Sequence, residues 1–308
     1  MDPKVAGAAP VFHPKLMKKG FIIALFFVLA GLVLVRFVSS VDNSAKTLTS
    51  PLSAKVNSKP SATPSPKPTS TPVATPTLSP TPTPVPSGYC LNVPVLFYHH
   101  IQPQADAIAN KQTAQSVDSG VFDQQMAYLN QKGYTTISAL DLVNALKNHT
   151  GVPANSIVVT LDDGYADQYG HAFQTAKKYN IRLNLLIASG LINNSGFMNW
   201  GQVNEIKNSG GYILDHTWSH YSLPAGSLEK IKYEVETAKS QIEQYTGQKV
   251  EVFGYPYGSF DSRSIQVLNE DGFLGAFSTL PGTYQCDSFI MALHRTRIGN
   301  SSLSYYGL

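Results

Sequence analysis

Apolar and polar positions divide the chain into three regimes. The first is an uncharged run rich in Phe, Leu and Ile from Gly20 to Val35, set behind Lys15, Lys18 and Lys19 and followed by Arg36-Phe37-Val38. The second, from about Asp42 to Ser87, holds almost no large apolar residue. From Cys90 onward, short apolar runs alternate with stretches of helical period. The runs at Val93–Tyr98, Ile157–Leu161, Arg182–Ile187, Tyr212–Leu214, Val250–Phe253, Leu274–Phe277 and Phe289–Ile298 read as strands. Between them, Phe122, Met126 and Leu129 mark one face of a helix that ends at Gly133. Ser138-Ala139-Leu140-Asp141 has the form of a capping box opening a helix that buries Leu142, Val143 and Leu146. Further helices are predicted around Asp167–Tyr179, from Trp200 to Asn208 before Gly210-Gly211, from the Ser227 cap to about Tyr245, and from the Asp261 cap to Asn269. Strand–helix alternation with helical crossovers implies an α/β domain on a parallel sheet, either open or closed into a barrel. Ligands of such sheets bind at the carboxyl ends of the strands.

The two upstream regimes lie outside that domain. With Arg36 snorkelling, the first run reaches the ~20 residues a bilayer helix needs, so residues 20–39 are expected to be a transmembrane signal anchor. The preceding lysines place residues 1–19 in the cytoplasm and the rest outside the cell. A cleaved signal would export the domain equally, but no good small-x-small site follows closely; Asn43-Ser44-Ala45 is a poor one. Residues 40–88, rich in Pro, Ser and Thr, cannot bury a core and are expected to be a disordered spacer. Residues 89–308 are then the globular part. Cys90 and Cys286 are the two cysteines of the chain, and export makes them candidates for a disulfide that spacing alone does not fix. A net charge of +3, with no basic stripe, gives no reason to expect nucleic acid.

Two stretches carry the chemistry. Thr160-Leu161-Asp162-Asp163-Gly164 sets two carboxylates at the end of a buried strand. His216-Thr217-Trp218-Ser219-His220 sets two imidazoles four residues apart after another apolar run. Two imidazoles and one carboxylate suit a zinc ion with an open coordination position, and the second carboxylate is then free to act as a general base. Tyr255-Pro256-Tyr257-Gly258 and His99 also follow predicted strands, so these groups converge on one rim. Alone, Asp-Asp-Gly is an ordinary turn and two histidines are ordinary packing; together they point to a metal-dependent hydrolase.

In order and spacing, Thr-Leu-Asp-Asp-Gly, His-Thr-x-x-His and Tyr-Pro-Tyr-Gly resemble the polysaccharide deacetylase family, carbohydrate esterase family 4, over roughly Val93–Ile298. The resemblance implies a distorted (β/α) barrel and metal-dependent removal of acetyl groups from polysaccharides. It makes Asp162 the base and Asp163, His216 and His220 the ligands of a divalent metal, zinc by choice, with cobalt or nickel also fitting. The Tyr257 backbone N–H would bind the oxyanion, and Tyr255, Pro256 and Trp218 would contact substrate. The third motif usually carries an arginine where this chain has Gly254, and the ordinary C-terminal Leu-x-His is missing. Phe97-Tyr98-His99-His100-Ile101 resembles the circularly permuted poly-β-1,6-N-acetylglucosamine branch, which moves the acid histidine to this N-terminal position. His99 is then the acid and His100 points the other way. His294 is a weaker rival for the acid, and Arg295 or Arg297 are candidates to replace the arginine. Expected partners are an acetylated polysaccharide and, through the N-terminal helix, the membrane, with no organic cofactor. A peptidoglycan deacetylase, an O-acetyl esterase of xylan type and a silent glycan-binding surface protein are the rival readings.

Overall fold

Residues 88–308 are described by the structure, a computed structural model. The expected anchor at 20–39 and nearly all of the expected spacer lie outside these residues. Among the described residues, no helix is long and apolar enough to cross a membrane.

The strands are β1 (Cys90–Asn92), β2 (Val95–Tyr98), β3 (His100–Gln102), β4 (Ser116–Asp118), β5 (Thr135–Thr136), β6 (Ser156–Asp163), β7 (Leu183–Ile187), β8 (Tyr212–Asp215), β9 (Val252–Gly254), β10 (Gly275–Phe277), β11 (Tyr284–Cys286) and β12 (Thr296–Arg297). The helices are α1 (Gln104–Ala109), α2 (Ser119–Gln131), α3 (Ala139–Lys147), α4 (Gln174–Tyr179), α5 (Trp200–Asn208), α6 (Leu228–Thr246) and α7 (Ser262–Glu270). One sheet runs β10-β9-β8-β7-β6-β2-β12, with β5 paired to the start of β6, and all its pairings are parallel. Its edges approach each other through a bridge between Phe277, at the end of β10, and Leu293, just before β12. The result is a parallel-sheet half-barrel rather than a fully hydrogen-bonded closed one.

Side-chain alternation divides the core. On β6 to β8, Val159, Leu161, Leu185, Ile187 and Ile213 join the layer that includes Phe122, Met126 and Leu129 of α2 and Ile231 and Val235 of α6. Val158, Leu186 and Leu214 face the other way, with Leu142, Val143 and Leu146 of α3. Asn184 pins α3 to this second face. Its Oδ1 accepts from the Ala139 N–H at 2.8 Å, and its amide donates to the carbonyls of Ile137 and Val159. The expected capping box is present: Ser138 Oγ accepts from Asp141 N–H and the Asp141 carboxylate accepts from Ser138 N–H, both at 3.0 Å.

Two elements differ from the sequence pattern. The helix expected from Asp167 opens as a wide π turn over Gln168–Phe173 before α4 begins. The expected last strand, Phe289–Ile298, is split: Asp287–Ala292 forms a short 3-10 helix, and only β12 pairs with β2. The first half of that run, Phe289–Leu293, is apolar throughout, so periodicity alone could not distinguish a buried helical turn from a strand there.

Cys90 and Cys286 are joined by a disulfide and sit opposite each other in the antiparallel pair β1–β11. The bridge closes a loop of 196 residues, for which chain entropy gives about 5 kcal/mol of stabilisation. Reduction, or Cys286→Ser, should lower the thermal midpoint of the domain by on the order of 10 °C. Scanning fluorimetry with and without reductant measures this; coincident midpoints would show that the bridge contributes nothing.

Candidate active site

β6 is buried along its whole length, and its last two residues are carboxylates. Asp162 follows Val158 and Thr160 on the α3-facing side of the sheet, where it meets Arg295. Nη1 of Arg295 donates to Asp162 Oδ1 at 2.7 Å and Nη2 donates to Oδ2 at 2.9 Å. Nη1 also reaches Thr160 Oγ1, and Nε donates to the Ser278 carbonyl. The guanidinium, 1% exposed, lies 4.5 Å from the centre of the Phe97 ring. Burial alone would push the Asp162 carboxyl up; the Arg295 charge outweighs it and holds Asp162 below the usual carboxylate range. Of the two candidate arginines, Arg295 is the one that reaches Asp162, while Arg297 is exposed and donates to the Ala114 carbonyl instead. At Gly254 an added Cβ would lie 2.2 Å from Leu186 Cδ2, so any side chain there would have to displace the end of that leucine.

Asp163 turns away from its neighbour because the backbone changes hand: its φ is +76°, and Gly164 follows at +81°. Register then sets the height of the imidazoles. Asp163 pairs with Ile187 on β7, and Ile187 with Asp215 on β8, so His216 leaves the sheet level with Asp163 two strands away, about 10 Å in backbone terms. Their side chains span that gap. His216 Nε2 lies 3.4 Å and His220 Nε2 3.1 Å from Asp163 Oδ1. Yet this buried oxygen makes no hydrogen bond of good geometry to either ring. Donor atoms that converge without bonding one another fit a shared cation, and Asp163, His216 and His220 do so within 4.8 Å. His216 Nδ1 donates to the Gly254 carbonyl at 2.6 Å, which leaves Nε2 with its lone pair toward the cluster. Burial would push Asp163 up, but the two imidazoles outweigh it and hold the carboxyl well below its usual range.

The loop between the imidazoles is braced from both sides. Thr217 and His220 are left-handed, with φ of +65° and +58°. Asp215 Oδ1 accepts from Thr217 N–H, and Thr217 Oγ1 accepts from Tyr221 N–H. From α6, the fully buried Glu234 accepts from both the N–H and the hydroxyl of Ser219 at 2.8 Å. Asp163, Thr217, His220 and Tyr257 are four of the nine left-handed non-glycine residues among those described. Each such residue costs on the order of 1–3 kcal/mol, and this kind of strain concentrates at functional sites.

His99 leaves β2 one residue beyond the Tyr98–Leu161 pair, which brings it level with Asp162. Burial draws its imidazole below the ordinary value, against the charges of Asp162 and Asp163. Sequence reasoning missed Gln168, whose amide donates to the carbonyls of both His99 (2.8 Å) and Asp162 (2.5 Å) and so ties the two strand ends together. Asp167 was missed too: it accepts from Ile101 N–H and contacts His100 Nδ1 at 2.6 Å. His100 is buried and stacks on Tyr165 at 3.7 Å, so it packs as expected. His294 is buried against Phe289 on the face opposite Arg295, away from the cluster.

The third motif splits. Tyr257 is exposed, with φ +60°, and its ring stands edge-on to His220 at 4.6 Å. Tyr255 and Pro256, expected to touch substrate, are instead buried: the Tyr255 hydroxyl donates to the Met291 carbonyl and its ring packs on Phe253 and Phe260. A residue pointing into the core cannot reach a sugar, so that expectation is corrected. Trp218 is partly exposed beside Tyr233 at the rim.

Residues 149–276 match the sequence profile described as "Polysaccharide deacetylase". A Bacillus subtilis protein named YxkH, assigned to the polysaccharide deacetylases, is 24% identical over 206 residues, 67% of this chain and 71% of its own length. The Escherichia coli poly-β-1,6-N-acetyl-D-glucosamine N-deacetylase is 24% identical over 66% of this chain, which spans only 36% of that enzyme. Among solved structures, the Streptococcus pyogenes deacetylase PplD in complex with acetate superposes with a TM-score of 0.65 at 25% identity, over 72% of this chain and 97% of that one. Profile and relatives agree with the strand-end geometry: the described residues carry a polysaccharide deacetylase domain.

Proposed function

We propose that the domain is an exported, metal-dependent hydrolase that removes N-acetyl groups from a polymer of N-acetylglucosamine type. The observation that carries this reading is the unbonded convergence of Asp163, His216 and His220 beside a carboxylate whose charge Arg295 secures. A divalent cation held by those three residues, zinc by donor set, would supply Lewis acidity to activate water and polarise the acetyl carbonyl. Asp162 takes the proton of the attacking water, since each of its oxygens keeps a lone pair beyond the one engaged by Arg295. The Tyr257 N–H donates to the carbonyl oxygen as charge develops there. His99 protonates the nitrogen as the C–N bond breaks, because an amine anion leaves too poorly unaided; burial, by lowering the imidazole, makes it the stronger acid. The disulfide supports export to an oxidising compartment. Anchoring through residues 20–39 completes the reading. N-acetylglucosamine as the substrate unit draws support from the Escherichia coli relative.

The soluble domain should release acetate from N-acetylglucosamine oligomers, and chelator should stop the release. Asp162→Asn should lower turnover at least about a thousandfold while zinc stays bound, whereas His216→Ala should lose the metal as well. Elemental analysis beside an acetate assay separates the two, and retained turnover in Asp162→Asn would sink the mechanism. Arg295→Ala should cost about 3–5 kcal/mol by leaving a buried charge unpaired. In its folded fraction Asp162 would need a higher pH to ionise, so the acidic limb of the pH–rate profile should move upward. An unmoved limb would rule out Arg295 as keeper of that charge. His99→Ala should slow amide substrates far more than an aryl acetate, whose phenolate departs without a proton. Equal slowing of both would remove His99 from the acid role.

A further inference from the structure

Beside His99, on the side away from Asp162, lies an open cavity of about 330 Å³, within the size range of small-ligand sites. Its walls include His99, Thr113, Gln115, Arg297, Asn300 and Tyr306. The fold places these residues there securely. The Gln115 carbonyl accepts from His100 N–H at 3.1 Å, and Ile298 N–H donates to the Phe97 carbonyl at 3.2 Å, so both walls are tied to the strand that carries His99. Among the residues that line the cavity, Arg297 alone bears a fixed charge, and no carboxylate faces it. Asp118, next to this wall, spends its carboxylate on the N–H groups of Gly120, Val121 and Gln104. Arg297 commits one N–H to the Ala114 carbonyl and is otherwise exposed. Arg297 and His99 line the same cavity, and the guanidinium charge adds to the burial that lowers the imidazole.

We propose, building on the deacetylase reading, that this cavity holds the sugar next to the reacting one and that Arg297 makes it discriminate by charge against a unit carrying a free ammonium. The reaction's own product supplies that unit. Each turnover breaks an amide C–N bond, sends acetate away and leaves a primary amine on the polymer, which below about pH 7.7 is mostly protonated. A finished unit that slides into the cavity then sets ammonium against guanidinium, while an untouched acetamido unit brings no charge. Sugars beside a finished unit are therefore attacked more slowly, and free amines become scattered along the chain rather than grouped in blocks. Arg297 is exposed, so solvent limits the effect to about two- to fivefold.

The test uses β-1,4- and β-1,6-linked hexamers of N-acetylglucosamine at pH 6.5 and low salt, digested partway and sequenced by mass spectrometry. In wild-type products, adjacent amine pairs should fall about two- to fivefold below random placement. The depletion should vanish in Arg297→Gln, persist in Arg297→Lys, and fade in 0.5 M salt. The lysine variant separates charge from the structural bond to Ala114. Random placement in the wild type, or depletion that survives in Arg297→Gln, would overturn the proposal. Absence of acetate release from both hexamers is a different failure: it would reject the deacetylase reading and this inference with it.

Discussion

Everything at the rim of the half-barrel depends on one buried ion pair. Arg295 comes from the last extended segment of the chain and Asp162 from the central strand, 133 residues earlier, and the two meet through both guanidinium nitrogens. Such a pair is worth little as stability, because taking two charges out of water consumes most of what their attraction returns. Its value lies in uniqueness. An unpaired Asp162 at this depth would sooner accept a proton than stay charged, and an unpaired Arg295 has no neutral form to retreat to. The segment that bridges β10 to β2 is held in one register by this pair, with Leu293 bridged to Phe277 on one side and β12 paired to β2 on the other.

Around this pair, the chain uses alternation along a strand and then abandons it. Val158, Thr160 and Asp162 share one face, which changes from apolar beside α3 to polar at the rim. The next residue should face the opposite layer, where a carboxylate would find only hydrocarbon. The left-handed turn at Asp163 and Gly164 avoids that outcome and sends the two carboxylates to different partners. At Gly164 an added Cβ would come within 3.0 Å of Ile187 and Ile192, so the residue that allows the turn also has to be the smallest. Glu234, Asp215 and Gln168 then hold the flanking loops by their backbones, which leaves the imidazoles free of competing bonds.

How much of this the sequence disclosed follows from the distance over which each signal acts. The Asp-Asp and His-x-x-x-His stretches are local and sit at strand ends, so their convergence could be read from alternation and topology. His99 and His100 were separable by the same alternation. Arg295 could be named only as one of two candidates, because no local motif links it to a strand 133 residues away. Gln168 and Glu234 look like ordinary polar residues on helices, and only burial shows that they grip neighbouring backbone. Tyr255 misled because it stands inside a functional motif, whereas its ring fills the core. The two- and three-residue strands carry too few positions to show any period, and the apolar stretch after Asp287 suits a helical turn and a strand equally well.

The covalent bond between β1 and β11 also has a mechanical meaning. The chain enters the described domain at Gly88, two residues before Cys90, and the next element that could peel away is β2, which ends just before His99. Parallel strands pulled from one end unzip one hydrogen bond at a time. A load arriving from upstream instead reaches Cys90 first and passes through sulfur into the paired antiparallel strand β11. Force is thereby diverted around the rim of the sheet, and a pulled domain could be tugged without His99 shifting from place.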